Sequence, residues 1–143
     1  MISKMAMPEL LAIFDHAPVG IVFVREGLLQ HCNRRFCELS GYAEDEVFGQ
    51  RARVLYESEA EYERLRHWAR EALLAGDPFD AEIPMRRRDG SLIYCRLHAA
   101  AIDRDNPREG TVWIVEDLEE QTRIRDELWN AQRDLEATFA AAN

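Results

Sequence analysis

Two stretches of this chain carry residue types that could do chemistry. In His31-Cys32-Asn33-Arg34-Arg35-Phe36-Cys37, one imidazole and two thiols lie close together. Such groups bind zinc, but a structural zinc site takes four ligands at recurring short spacings. No second ligand pair follows, so Cys32 and Cys37 read as small apolar fillers of a strand end and a helix. No metal is expected. The other candidate is His67, inside "SEAEYERLRHWAREALLAG". It neighbours Leu65, Trp68 and Ala72 and reads as flanking an apolar stripe or facing water. His16, His31 and His98 have weaker settings still. There is no nucleophile elbow, Walker loop, HExxH or GxGxxG. The 27 acidic residues are spread along charged faces and read as solvated surface. The chain is not expected to be an enzyme.

The net charge of −9 argues against binding to nucleic acid or to an anionic membrane surface, which both need positive charge. No stretch approaches the roughly 20 apolar residues of a membrane span, and "MISKMAMPEL" lacks the apolar core of a secretory signal. Three cysteines do not make a disulfide framework. A reduced, cytoplasmic setting is the expectation.

The elements that must position any site follow from local pattern. Pro8 opens a helix carrying Leu10, Leu11 and Phe14, and Pro18 ends it. Val19 to Val24, a break at Arg25-Glu26-Gly27 and a second apolar run predict a hairpin. Short helices follow, stopped at Gly41 and Gly49. Ser58 and Glu61 form a capping box for a longer helix with Leu65, Trp68, Ala69 and Ala72 on one stripe, closed by Gly76. Two alternating strands joined by a two-residue turn at Asp89-Gly90 come next, then a last strand, "GTVWIVED". The final helix has Asp117 as its cap, with Glu120 in the reciprocal position. Gln121, Ile124, Leu128, Ala131, Leu135 and Thr138 form a heptad seam along it. Five antiparallel strands with grouped helices make an α+β fold.

Three motifs in this order, "CNRRFCELSGYAEDEVFGQ", "MRRRDGS" and "IVEDLEE", resemble a PAS domain, a cytoplasmic sensory module of bacterial signalling proteins. The match runs from about residue 8 to 120. The resemblance implies a five-stranded antiparallel sheet in the order 2-1-5-4-3. Helices on one face enclose a pocket, and a long C-terminal helix carries signals to an output domain. On this frame residues 1–18 are an N-terminal helix or cap, 19–118 the core and 119–143 a coiled-coil-like linker. The usual exit motif, Asp-Ile/Val-Thr-Glu, is here Asp117-Leu118-Glu119-Glu120. The threonine is missing and the aspartate cap remains. Asp117 and Glu120 are the expected signal-transmission residues.

Cofactors can be weighed against the same resemblance. Haem-binding relatives supply a ligand from the long helix, which makes His67 a weak candidate. Where one haem branch has a histidine before "PEY", this chain has Glu59. Haem is disfavoured. The light-oxygen-voltage branch bonds flavin through a cysteine that is Ala52 here. Its polar flavin contacts correspond to Met85, Cys95 and Val115. Burying a flavin edge without partners costs on the order of 1–3 kcal/mol per group, so flavin is strongly disfavoured.

Strand alternation groups Ala81, Ile83 and Met85, likewise Ile93, Cys95, Leu97 and Ala99, and then Trp113 and Val115; the register that the resemblance implies puts all three groups on the inner face of the sheet. With Leu65 and Trp68 opposite, Ile83, Met85, Cys95, Leu97, Trp113 and Val115 are the expected pocket residues. His67, Tyr56 and Arg53 are the nearest polar groups. No cofactor is expected; a small apolar ligand fits this wall, and so does a filled core. Ile124, Leu128 and Leu135 are the expected dimer seam.

The tail "LEATFAAAN" repeats the start of "LLAIFDHAPVG", with Phe139 over Phe14 and Leu135 over Leu10. Domains similar to PAS often begin this way, so the native protein is expected to continue into a second such domain. The resulting reading is a PAS sensor and dimerisation module, a homodimer with a covalently linked diguanylate cyclase or histidine kinase output. A purely structural interaction module and a haem-based redox or gas sensor are the alternatives.

Overall fold

The computed structural model describes residues 6–142, with side chains described for all of these except Gln121 and 139–142. Helix α1 (Met7–His16) leads into the hairpin of β1 (Gly20–Arg25) and β2 (Leu28–Cys32). Arg25 pairs with Leu28 across a two-residue turn. Glu26 and Gly27 both have positive φ, 53° and 77°. That is the turn whose twist matches two antiparallel strands.

Asn33 then organises the N-terminal third. It is 1% exposed. Its Oδ1 accepts from the backbone N–H of Phe36, capping α2 (Arg34–Ser40), and from that of Ile21. Its Nδ2 donates to the carbonyls of Phe14 and Val19. One side chain thus ties α1, β1 and α2 together. The close approach needs Gly20, where a Cβ would lie 3.2 Å from the Phe36 Cα.

A short helix α3 (Glu44–Val47) and a 3-10 turn (Ala52–Leu55) lead to α4 (Glu59–Leu74). Ser58 Oγ accepts from the Glu61 N–H at 3.2 Å, as a cap should. The Glu61 carboxylate does not complete the expected capping box; it pairs with Arg64 at 2.8 Å. The strands β3 (Phe79–Arg86), β4 (Leu92–Ala101) and β5 (Thr111–Asp117) complete the sheet, in the order β2-β1-β5-β4-β3. Pro84 sits in β3, an edge strand, where its missing N–H costs no ladder bond to an outer neighbour.

The β3–β4 turn corrects a sequence expectation. It is a three-residue loop, Arg88-Asp89-Gly90, closed by Gly90 N–H to Arg87 O and Arg87 N–H to Ser91 O. Only Gly90 has positive φ, so the tight two-residue form, which needs it at both central positions, is absent. Asp89 instead accepts from the Ser91 backbone N–H at 2.9 Å.

The inner face of the sheet is buried: Phe79, Ala81, Ile83 and Met85 on β3, then Ile93, Cys95, Leu97 and Ala99 on β4, and Val115 on β5. Helices α2, α3 and α4 cover it. Helix α1 reaches the opposite face, where Phe14 stacks on Phe23 with ring centroids 6.0 Å apart. β5 runs without a break into α5 (Leu118–Ala142).

Candidate functional site

The inner face is not solid. Between α4 and the sheet lies a cavity of about 390 Å³. Its sheet wall is apolar: Val22 and Val24 from β1, Leu29 from β2, Ile83 and Met85 from β3, Leu97 from β4, Trp113 and Val115 from β5. Phe36, Leu55, Ala69 and Leu73 close it from the helical side. Interiors normally pack to the density of organic crystals. A volume of this size is within the range of small-molecule sites.

Of the residues expected at a pocket, Ile83, Met85, Leu97, Trp113 and Val115 lie on this one cavity. Cys95 and Leu65 are buried at 0% and 1% exposure but do not line it. Trp68 is a correction. It is 49% exposed, because the buried stripe of α4 is Leu65, Ala69 and Leu73. Steps of four residues hold this helix over the sheet, which turns position 68 outward. Its ring meets Phe79 edge-on at 5.0 Å, and Phe79 meets Trp113 in the same way at 6.0 Å.

His67 also turns outward. Its side chain is 75% exposed, and Nε2 lies 3.1 Å from Glu71. It does not line the cavity, so haem ligation through it has no geometric support. Arg53 is likewise engaged elsewhere, with Glu59 at 2.7 Å and the Tyr56 carbonyl at 3.1 Å. Tyr56 does line the cavity. Burial pushes its phenol well above the ordinary value, so it remains a hydroxyl.

The sulfur pair behaves as filler. Cys32 and Cys37 place their Sγ atoms 3.5 Å apart. Burial raises all three thiols, Cys95 to about 12, which favours the neutral thiol. Among the described residues no group of three or more His, Cys, Asp or Glu is placed to hold a metal ion.

Several residues on the cavity escaped the sequence reading. Val22, Val24 and Leu29 belong to the first hairpin, where the apolar run is continuous and a register shift interrupts the pairing, so the pattern does not mark the inward face. Tyr62, Arg66, Arg70 and Arg108 also line it. Their positions depend on the rotation of α4 and on a loop, neither of which has a local signal.

The cavity touches the exit helix through one strand. Trp113 and Val115 sit on β5, and Asp117 ends it. Asp117 Oδ1 accepts from the Glu120 N–H at 3.1 Å, capping α5. Glu120 does not return the bond expected of a capping box; its carboxylate pairs with Arg35 of α2. Glu119 accepts from the Tyr94 N–H at 3.2 Å. The root of α5 is therefore fastened to its own strand, to α2 and to β4. Farther along, Ile124, Leu128 and Leu135 are 48%, 68% and 63% exposed.

Known proteins share this fold. A family model described as "PAS domain" matches residues 18–120. The sensor protein TdiS of Thauera aromatica is 34% identical over 124 residues, which cover 87% of this chain and 23% of that protein. The chain thus spans about a quarter of that relative's length. Among solved structures, the PAS domain of a LuxR-family transcriptional regulator from Burkholderia thailandensis, in complex with ethanol, superposes with a TM-score of 0.71 at 28% identity. That match covers 80% of this chain and 99% of the other. A PAS domain from Colwellia psychrerythraea shares the fold, with a TM-score of 0.70 at 21% identity over 78% of this chain and 95% of the other.

Proposed function

This chain belongs to the PAS domain family, and from that premise we propose that it is the ligand-sensing module of a bacterial, cytoplasmic signalling protein. The observation that carries this reading is the continuity of β5. Trp113 and Val115 form cavity wall, and two residues after Val115 the strand ends in the cap of α5. A ligand pressing on that wall would shift β5 against its neighbours. The strain would reach the Asp117 cap and the Arg35–Glu120 and Tyr94–Glu119 contacts directly. Their rearrangement would reorient α5 and bias a covalently linked output domain, a histidine kinase or a diguanylate cyclase. The similarity to a sensor protein supports the signalling role.

The signal would pass through a homodimer. Ile124, Leu128 and Leu135 recur on one stripe of α5 and are exposed in the single chain. A second copy of the helix would bury them in a coiled-coil seam. Leu128→Asp is expected to shift the protein from dimer to monomer in sedimentation velocity. An unchanged sedimentation coefficient removes the seam from the mechanism. The same exposed stripe also favours the second reading, a purely structural interaction module.

Coupling is tested by filling the cavity. Ala69→Leu adds three carbons facing the void and should change amide hydrogen exchange over residues 117–124. If exchange there matches wild type while the substituted side chain fills the cavity, pocket-to-helix coupling fails. The structural-module reading is then the one left.

A further inference from the structure

Resting on the reading of the cavity as a ligand site, we propose that its ligand is an amphipathic monocarboxylate, with the apolar body inside and the carboxylate at the mouth on Arg66, Arg70 and Arg108. The apolar wall sets the body. An apolar cavity of about 150 Å³ accepts benzene, so about 390 Å³ takes a body roughly two to three times that size. The mouth sets the head. The exposed lining residues are Glu26, Arg66, Arg70, Leu74 and Arg108, so the opening lies between α4, the β1–β2 turn and the loop before β5.

Arg66 and Arg70 stand four apart on α4 and so share a face. Arg108 enters from the 3-10 turn Pro107–Glu109. Among the described residues neither Arg70 nor Arg108 forms an ion pair. Arg66 has only Glu63, at 3.6 Å on an exposed stretch. Just inside, the hydroxyls of Tyr56 and Tyr62 make no hydrogen bond among the described residues, and both rings line the cavity. Guanidinium groups only donate, and a phenol held protonated can donate. The mouth therefore suits a head that accepts.

Three guanidinium groups against two carboxylates, Glu26 on the lining and Glu63 beside Arg66, leave this opening positive on a chain whose net charge is −9. A planar carboxylate matches the guanidinium fork. The Glu26 carboxylate disfavours a dianion beside it, which sets a carboxylate ahead of a phosphate monoester. A neutral hydrocarbon would use the wall and leave the donors unused.

Isothermal titration separates these cases with octanoate and 3-phenylpropionate, their primary amides, and octyl phosphate. The acids are expected to bind at least tenfold tighter than the amides at low salt. The double variant Arg66→Gln/Arg70→Gln should bring the acids to within about twofold of the amides measured on the same variant. Equal binding of acid and amide in the wild type overturns the carboxylate proposal and keeps the ligand-site reading. An acid preference that survives the double variant and Arg108→Gln also overturns it, as does octyl phosphate binding tighter than octanoate. If no probe binds, the amides included, the ligand-site reading falls together with the proposal.

Discussion

The two ends of the helical layer treat one sheet in opposite ways. At the α2 end, backbone meets backbone: Gly20 lies against Phe36, and Asn33 satisfies four backbone groups from three elements. At the α4 end the helix stands off the sheet and leaves a cavity of about 390 Å³. The first end is organised by a buried polar hub, the second by apolar side chains around a space. A domain built this way can hold its fold at one end while keeping room at the other. β5 is the strand that joins the roomy end to α5.

The largest expected effect comes from removing the hub. Asn33→Ala leaves the Phe14 and Val19 carbonyls and the Ile21 and Phe36 N–H groups without their partner. Each buried orphan costs about 1–3 kcal/mol, so a loss on the order of 4 kcal/mol is expected in urea unfolding. A loss below about 1 kcal/mol would mean that the α2 end is not the fold's anchor.

The next effect compares the two ends directly. Leu39 and Leu73 are 4% and 8% exposed, but only Leu73 borders the cavity. Leu→Ala changes in cores cost about 2–5 kcal/mol, more where a larger new void is left among packed neighbours. Leu39→Ala should fall near the top of that range and Leu73→Ala near the bottom, because fewer atoms surround Leu73 to begin with. Equal losses would erase the packing difference between the ends.

The smallest effect on stability belongs to the α5 root. Arg35 and Glu120 are partly exposed, and such pairs are worth at most about 1 kcal/mol. Arg35→Gln should hardly move the unfolding midpoint, yet it should speed amide exchange in the first turn of α5. Unaltered exchange would mean that the Asp117 cap and the Glu119–Tyr94 contact hold the root without the Arg35 pair.

Much of the fold was open to local reading. Period-two alternation assigns Ile83, Met85, Cys95 and Leu97 to one face whatever packs on it. Glycines after helices and aspartate or serine before them mark the boundaries. Pro84 is compatible only with an edge strand. Turn geometry was less legible. Asp89-Gly90 looked like the tight hairpin, while the turn with two positive φ values formed at Glu26-Gly27, because strand register decides how many residues a loop must span. Both expected capping boxes formed only half, since Glu61 and Glu120 each have an arginine within reach.

The sequence by itself determined the element order, which residues share a face on each of the last three strands, and the apolar character of that wall. These follow from backbone period and side-chain transfer energy, which are local. Only the tertiary structure decided that α4 turns Leu65, Ala69 and Leu73 inward and Trp68 outward. It alone decided that a void remains beneath that helix, and that Arg66, Arg70 and Arg108 gather at its mouth. A helix with apolar residues on more than one side has several acceptable rotations. The choice among them is made by the surface it meets, and that surface is assembled from strands distant in the chain.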